Sequence, residues 1–268
     1  MSEQPENPAP VSHQHTGIQV KSWKGYLFEF ILLFLAVFLG FVAENFRQKI
    51  SERQQAEELA HNFYDELLAD SVAIRWYIDA RFTKDTALIA LKEYVLDSSL
   101  EKVSRAFVKN YYTALFLNNR FEPTDVLLEQ LKNSGSLLYF KNKELQRLTG
   151  GLSECIARMR QFDAYDADYL QDQIIPFHNE HGDQVFYDKI TQDGSVPFGD
   201  FLKILSSDSV KIDFHINNLS NFSRQKFNNM IGIYRLRLKV VTAHHYLNYE
   251  DINKKLLAVL RSEYHITK

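Results

Sequence analysis

The sequence predicts an all-α protein in which one N-terminal transmembrane helix continues into a bundle of long helices. Residues 26–43 form an 18-residue apolar stretch with a single charged side chain, that of Glu29. The 82 residues between Gly40 and Pro123 contain neither glycine nor proline, the residues that normally punctuate strand connections. Further along the chain, apolar residues recur every three or four positions, the spacing of one face of a helix.

The apolar stretch is long enough to cross a bilayer. At about 1.5 Å per residue it spans roughly 27 Å, close to the ~30 Å hydrocarbon core. Thirteen of its residues are Leu, Ile, Val or Phe, which together favour insertion by roughly 5 kcal/mol. Glu29 lies one turn from the end and costs less than the ~2.5 to 3.5 kcal/mol of a central charge. We therefore predict a membrane anchor over residues 23–46.

A cleaved signal peptide is the alternative, with Lys21 and Lys24 before an apolar core at residues 30–42. The segment 41–45 lacks small residues at both positions that define a cleavage site, which favours a retained anchor. Basic residues lie on both sides of the anchor and do not decide its orientation. A short tail with its own lysines favours a single-pass inner-membrane protein whose bulk lies in the periplasm.

One face of the anchor carries small residues and a carboxylate. Glu29, Ala36 and Gly40 follow each other at seven- and four-residue steps, so they share a helix face. A small-xxx-small pair lets a second helix approach closely, and Glu29 could bind across such a contact. The spacing suggests self-association through the anchor. The alternative is that the small residues have no partner and that Glu29 extends to the membrane surface.

Composition limits the remaining possibilities. Residues 1–22 hold three prolines without apolar periodicity, which predicts a disordered tail. The 31 basic and 34 acidic residues of the chain nearly balance, so no basic surface for nucleic acid is expected. Cys155 is the one cysteine, which excludes an intrachain disulfide and a cysteine-based metal cluster. We expect a membrane and a protein partner or second copy as binding partners, and no cofactor.

Residues 47–268 are predicted to form the helical domain. A polar helical segment at 44–58 leads into an apolar stripe from Ala60 to Val95, and a second helix is expected at about 100–117. A proline in the first turn and a glycine after the last turn bracket a helix between Pro123 and Gly135. Asn142 is the predicted N-cap of a helix that reaches residue 175, with a kink at Gly150–Gly151.

The C-terminal part of the domain has one irregular and one helical segment. An irregular loop is expected near residues 176–199, which hold two prolines and three glycines. Residues 214–264 are predicted to be helical. The apolar side of this segment is assigned to Ile233, Leu236, Val240, Ala243, Leu247, Ile252, Leu256 and Val259.

Two segments carry a resemblance to known proteins. One is the anchor, from Tyr26-Leu27-Phe28-Glu29-Phe30 to Val42-Ala43-Glu44-Asn45-Phe46-Arg47. The other is Phe121-Glu122-Pro123-Thr124, followed by Leu127, Leu131, Asn133-Ser134-Gly135, Leu137 and Leu145. In these segments the chain resembles an uncharacterised family of bacterial single-pass membrane proteins of unknown function. The resemblance implies a membrane helix leading into an extended helical domain. It departs from the family at Phe46, where relatives tend to carry Trp.

Two polar clusters could support chemistry. His178, Glu180 and His181 are the candidate metal ligands, although a polar surface loop is the favoured interpretation and no HExxH spacing is present. Acidic residues repeat along the preceding helix, where a solvated helix face is favoured over acid–base work. These residues are Asp163, Asp166, Asp168 and Asp172. No phosphate-binding loop, dinucleotide fingerprint or nucleophile elbow occurs.

These observations favour a membrane-anchored interaction, scaffold or sensor-like protein without catalysis. Phe121, Pro123 and Gly135 mark the corner at which we expect a partner to dock, with a helix junction packed in the core as the alternative. A membrane-bound metal-dependent hydrolase using His178, Glu180 and His181 is a second hypothesis. A helical bundle that binds a small apolar molecule is a third.

Overall fold

The computed structural model describes residues 22–118, 120–208 and 210–267. In this part of the chain every regular element is helical, which confirms the predicted fold class. Two π-helical turns, Leu170–Ile174 and Thr242–Tyr246, interrupt the long helices, and short 3-10 turns lie at Ser136–Tyr139 and Leu219–Asn221. The α-helices are α1 (Trp23–Asp97), α2 (Arg105–Phe116), α3 (Val126–Asn133), α4 (Lys143–Tyr169), α5 (Ile175–His181), α6 (Gln184–Thr191), α7 (Phe198–Ser206), α8 (Arg224–Val241) and α9 (Leu247–Tyr264).

The chain divides into two compact units between Arg53 and Gln54. The first unit contains the N-terminal part of α1, and the tail predicted for residues 1–22 lies outside the described residues apart from Ser22. Within this unit α1 holds an apolar window that is long and apolar enough to cross a membrane, and none of that window is buried. A core helix of a soluble protein would have at least one covered face.

Three long helical segments form the frame of the second unit. The segment α8–α9 runs antiparallel to α1. As residue numbers increase along α8–α9, the residues of α1 that it contacts decrease in number. Arg235 Nε lies 2.7 Å from Asp85 Oδ1, and further along Asn253 Nδ2 donates to the Leu67 carbonyl at 3.1 Å. α4 also runs antiparallel to α8–α9, from a 3.1 Å Asn142–Glu263 hydrogen bond at its start. The frame is therefore a three-helix bundle.

Two separate apolar clusters fill this unit. Core A gathers the segment of α1 from Ala56 to Ile78 with α3, the first half of α4 and α9. Core B gathers the segment of α1 from Ala87 to Val95 with α2, α6, α7 and α8. Aromatic side chains dominate core B, where the rings of Tyr112 and Phe201 meet edge to face at 4.8 Å. The two clusters place apolar packing at both ends of the bundle.

The structure corrects the predicted buried face between Ile233 and Leu247, whereas Leu256 on α9 is buried in core A as predicted. Ile233 and Leu236 are 51% and 63% exposed, and Val240, Ala243 and Leu247 are also on the surface. α8 carries a second apolar face, and it is this one that packs in core B. Its buried members are Phe227, Met230, Ile231, Tyr234 and Leu238. Apolar periodicity identifies a face of a helix, but when a helix has two apolar faces it does not show which one is buried.

Carboxylates of α1 hold the start of α3. Asp70 accepts hydrogen bonds from the Thr124 N–H at 3.0 Å and from the Tyr249 hydroxyl at 2.7 Å. Glu66 Oε2 accepts from the Leu127 N–H, which lies in the first turn of α3, at 3.3 Å. Burial raises the pKa of the Asp70 carboxyl above its ordinary value. Glu66 thus supplies an acceptor that a local cap would otherwise provide, and Asp70 holds the segment just before α3.

Several predicted helix boundaries are confirmed, and others lie at different residues in the structure. Gly135 has the left-handed φ of +72° expected after the helix that ends at Asn133, and the side chain of Asn142 caps α4. The helix expected at about 100–117 begins at Arg105 instead. α4 passes through Gly150–Gly151 without interruption. The segment 176–199 is more regular than expected, because it holds most of α5 and all of α6.

Replacing Asp70 with alanine tests whether this buried carboxylate stabilises the domain. Asp70→Ala leaves a buried tyrosine hydroxyl and a backbone N–H without their acceptor, so we expect the free energy of unfolding to fall by about 2 to 3 kcal/mol. The matched control is Asp79→Ala, which removes an exposed carboxylate from the same helix and should change stability by less than about 0.5 kcal/mol. Urea unfolding of the full chain in detergent, followed by circular dichroism, measures both. Equal losses of unfolding free energy in Asp70→Ala and Asp79→Ala would contradict a stabilising role of the Asp70 hydrogen bonds.

Candidate functional site

Charged side chains are buried at the border between core A and core B. Arg81 and Lys84 lie on α1 between the last core A residue of that helix, Ile78, and its first core B residue, Ala87. They are 2% and 3% exposed. Charged residues are almost never buried to this degree unless they are paired. We call this group, with its partners on α4 and α8, the charge belt.

Arg81 is the centre of the charge belt. Its Nη1 lies 3.6 Å from Asp163 Oδ1 and its Nη2 lies 3.8 Å from Asp166 Oδ2, both on α4. Its Nε donates to the Thr242 hydroxyl at 2.8 Å, and the guanidinium stacks 4.1 Å from the centre of the Tyr246 ring. One side chain of α1 therefore contacts α4 and the π-helical turn after α8, which a planar guanidinium with five donors is suited to do.

The two aspartates of the belt are in different surroundings. Asp163 accepts a hydrogen bond from the Tyr246 hydroxyl at 2.9 Å, and burial raises its pKa to about 6 although Arg81 opposes the shift. Asp166 is nearer the surface and accepts from Arg237 Nε at 3.1 Å. Burial also raises the pKa of Asp166, against the effect of Arg81 and Arg237. The loss of hydration on burial is thus the largest influence on the pKa of both carboxyl groups.

Lys84 is bound differently from Arg81. Its Nζ donates to the Leu117 carbonyl at 3.1 Å and lies 4.9 Å from the centre of the Tyr234 ring. Among the described residues no carboxylate oxygen lies within 4.0 Å of this amine. Burial, with Arg81 nearby, lowers the pKa of Lys84 to about 7. The charge of this amine consequently changes near neutral pH.

A π-helical turn contributes two residues to the belt. Thr242 and Tyr246 are the first and last residues of the turn Thr242–Tyr246. Such a turn adds one residue to a helical repeat and rotates the face that follows it, and it is common at functional sites. The turn is therefore the point at which the segment α8–α9 changes from packing in core B to packing in core A.

The predicted acidic run is split by the structure. Asp163 and Asp166 enter the charge belt, whereas Asp168 and Asp172 are exposed. The interpretation as a solvated helix face is wrong for Asp163 and Asp166, because both lie against Arg81. The sequence pattern of α4 does not show this contact, since Arg81 comes from a helix that is distant in sequence. Sequence reasoning did not single out Arg81 or Lys84. Their interruption of the apolar stripe of α1 was the available signal.

The predicted metal ligands are not brought together. His178 Nδ1 lies 2.8 Å from the Tyr111 hydroxyl, and the ring packs against Phe116 beside core B. His181 instead packs against Phe177, with Glu180 beside it. Burial lowers the pKa of His178. Within the described residues no group of three His, Cys, Asp or Glu side chains is placed to hold a metal ion, so we do not carry the hydrolase hypothesis further.

The predicted docking corner takes part in internal packing. The Phe121 ring lies 5.7 Å from the Tyr77 ring and 5.3 Å from the Tyr249 ring, and the Phe121 N–H donates to the Tyr246 hydroxyl at 3.0 Å. Pro123 is buried, and Gly135 forms the turn after α3. Since the two apolar side chains of this corner are covered by the chain itself, we place no partner on it.

The anchor residues selected for self-association are on the surface of their unit. Glu29, Ala36 and Gly40 are exposed, and a Cβ added at Gly40 would meet no atom within 4 Å. The space above Gly40 is therefore open to a second helix. Self-association through this face stays a prediction.

Comparison of the chain with protein-family models, curated proteins and solved structures finds no match. The resemblance based on the anchor and on the segment from Phe121 to Leu145 accordingly stays a prediction, and the functional argument depends on the geometry of this chain.

The ionisation of Lys84 predicts a pH-dependent stability. Between pH 7 and pH 9 the folded amine, with its pKa of about 7, has released a proton that an unfolded lysine with a pKa of ~10.4 retains. Lys84 should therefore make the free energy of unfolding rise with pH, by up to ~1.4 kcal/mol per pH unit. We expect Lys84→Met to lose this rise in denaturant titrations at a series of pH values.

The control for this prediction is Lys92→Met, which removes an exposed amine from the same helix. It should keep the wild-type slope, because it leaves the buried amine of Lys84 in place. The slope is informative even if Lys84→Met changes stability at every pH. An identical slope in the wild type and in Lys84→Met would show that the buried amine does not titrate in this range.

Proposed function

We propose that this chain is a single-pass membrane-anchored protein whose helical domain acts by binding and not by catalysis. One observation carries the anchoring: the apolar window of α1 is entirely uncovered within its own unit, while the rest of the same helix supplies core A and core B. An uncovered apolar helix is unfavourable in water and favourable in lipid. A bilayer is the environment that fits this segment.

The resemblance to bacterial single-pass membrane proteins supports the same location. We propose the inner membrane, with the short N-terminal tail in the cytoplasm and the helical domain in the periplasm. The short lysine-bearing tail before the anchor favours this orientation. The near-neutral charge of the chain fits a protein that binds neither nucleic acid nor other strongly charged polymers.

Two features favour binding over catalysis. Arg81, Lys84 and Asp163 of the charge belt are buried inside the bundle, and Arg81 and Asp163 pair with each other instead of facing an open cleft. The exposed apolar face of α8, with Ile233 and Leu236, is typical of surfaces that contact other proteins. A scaffold or sensor-like role for the domain is consistent with both features.

Two central charges in the anchor should release the protein from the membrane. The double variant Leu33→Arg/Val37→Arg adds about 5 to 7 kcal/mol of insertion cost, which exceeds the roughly 5 kcal/mol gained by the apolar side chains. We expect the wild-type chain to stay with the membrane pellet after alkaline carbonate extraction and the double variant to move to the supernatant. A protease-accessible C-terminal tag in the same cells reports the orientation, since only a periplasmic tag is cleaved in spheroplasts.

The matched control is Val72→Arg/Trp76→Arg. It places the same two charges at the same spacing on exposed positions of α1 in the second unit, and it should leave extraction unchanged. Recovery of the wild-type chain in the supernatant would refute the anchor. Tag protection in spheroplasts would refute the periplasmic orientation alone.

Self-association through the anchor is the second part of the proposal, supported by the open space above Gly40. Gly40→Leu fills this space and should reduce crosslinked dimers in intact membranes several-fold, because close helix approach requires a small residue. Phe38→Leu, on another face of the anchor, is the control and should retain them. Equal dimer yields from the two variants would remove the small-residue face as the contact.

A further inference from the structure

A cleft of about 530 Å³ lies between the α4–α5 region and the start of α8. The π-helical turn Leu170–Ile174 forms part of its rim, and such turns are frequent at functional sites. Its walls combine aromatic and apolar side chains with carboxylates. Those used below are Phe177, Met230, Asp172, Glu180, His181 and Lys226.

His181 is held rigidly in this cleft. The residue is 5% exposed, and its ring lies 4.9 Å from the Phe177 ring and 5.1 Å from the Phe222 ring. Its Nδ1 lies 3.0 Å from the Asn217 carbonyl oxygen. A carbonyl only accepts hydrogen bonds, so this contact places a ring proton on Nδ1, and in a singly protonated ring the lone pair is then on Nε2. The structure thus presents an acceptor on a buried, fixed ring.

The acceptor faces a second acceptor. His181 Nε2 lies 3.7 Å from Glu180 Oε1, and among the described residues no hydrogen-bond donor is placed on this nitrogen. Glu180 Oε1 accepts one hydrogen bond, from Asn218 Nδ2 at 3.3 Å, and has capacity for another. Two facing acceptors cannot hydrogen-bond to each other, so they are complementary to a group that directs an N–H donor to each of them.

The net charge of the residues that line the cleft indicates whether the bound group is a cation or an anion. Asp172 and Glu180 contribute two carboxylates against the single ammonium of Lys226, so the cleft favours a cation. A metal ion would need three convergent ligands, and no such group occurs in the described residues. The Phe177 ring and Met230 offer an apolar surface to the remainder of a molecule.

We propose that this cleft binds a small organic ammonium ion, a primary amine on an apolar body. Its N–H groups donate to His181 Nε2 and to the Glu180 carboxylate, and its apolar body packs on Phe177 and Met230. Asp172 adds to the attraction for the positive charge. This inference goes beyond the proposed membrane function and does not need it, because the cleft belongs to the second unit alone.

The test compares probes that share a shape and differ in charge. Isothermal titration of the detergent-solubilised full chain with phenethylammonium chloride, 2-phenylethanol and zinc chloride measures the preference directly. We expect the ammonium ion to bind at least about tenfold more tightly than the alcohol, the scale of a charge-assisted hydrogen bond. Equal binding of amine and alcohol, binding of zinc alone, or no binding of the amine at millimolar concentration would each overturn the proposal.

Variants locate the site. Glu180→Gln keeps the shape of an exposed side chain and removes its charge, so it should weaken amine binding about tenfold while leaving circular dichroism unchanged. Asp251→Asn, an exposed carboxylate on α9 paired with Lys255, is the control and should bind the amine as the wild type does. Equal amine affinity in Glu180→Gln and the wild type would place the binding elsewhere and refute the assignment. These measurements do not depend on the carbonate extraction, so either proposal can fail without the other.

Discussion

The burial of the Arg81 guanidinium is the constraint on which the bundle depends. A charge removed from water is costly unless it is paired and hydrogen-bonded. Arg81 meets this condition through Asp163, Asp166, Thr242 and Tyr246, which come from α4 and from the turn after α8. A shift of any of the three helices along its axis would remove partners from a buried cation. The charge belt therefore sets the register of the bundle, whereas apolar packing in core A and core B could tolerate sliding.

The same logic operates at the start of α3. Asp70 and Glu66 on α1 accept backbone N–H groups that lie more than 50 residues away along the chain. Tyr249 on α9 donates to the same Asp70 carboxylate, so one buried acid joins α1, α9 and the segment before α3. Polar groups in this domain thus specify which helices meet and at which positions, and apolar burial supplies the larger part of the driving force.

The polar groups inside the bundle differ in kind from those of the cleft near α5. In the charge belt, Arg81 lies against Asp163 and Asp166, and Lys84 donates to the Leu117 carbonyl. In the cleft, His181 Nε2 and Glu180 Oε1 lie 3.7 Å apart and are the two acceptors of the proposed amine site. The first arrangement is structural, and the second is the one that we propose to bind a ligand.

The sequence alone determined the all-helical class, the apolar anchor segment, the left-handed turn at Gly135 and the cap at Asn142, because propensity, length and local hydrogen bonding decide these features. It also limited the chemistry, through one cysteine and balanced charge. The tertiary structure alone decided which apolar face of α8 is buried, which aspartates of the acidic run meet Arg81, and how His178 separates from His181. Each of these depends on a partner distant in sequence, and periodicity identifies a face of a helix without identifying what packs against it.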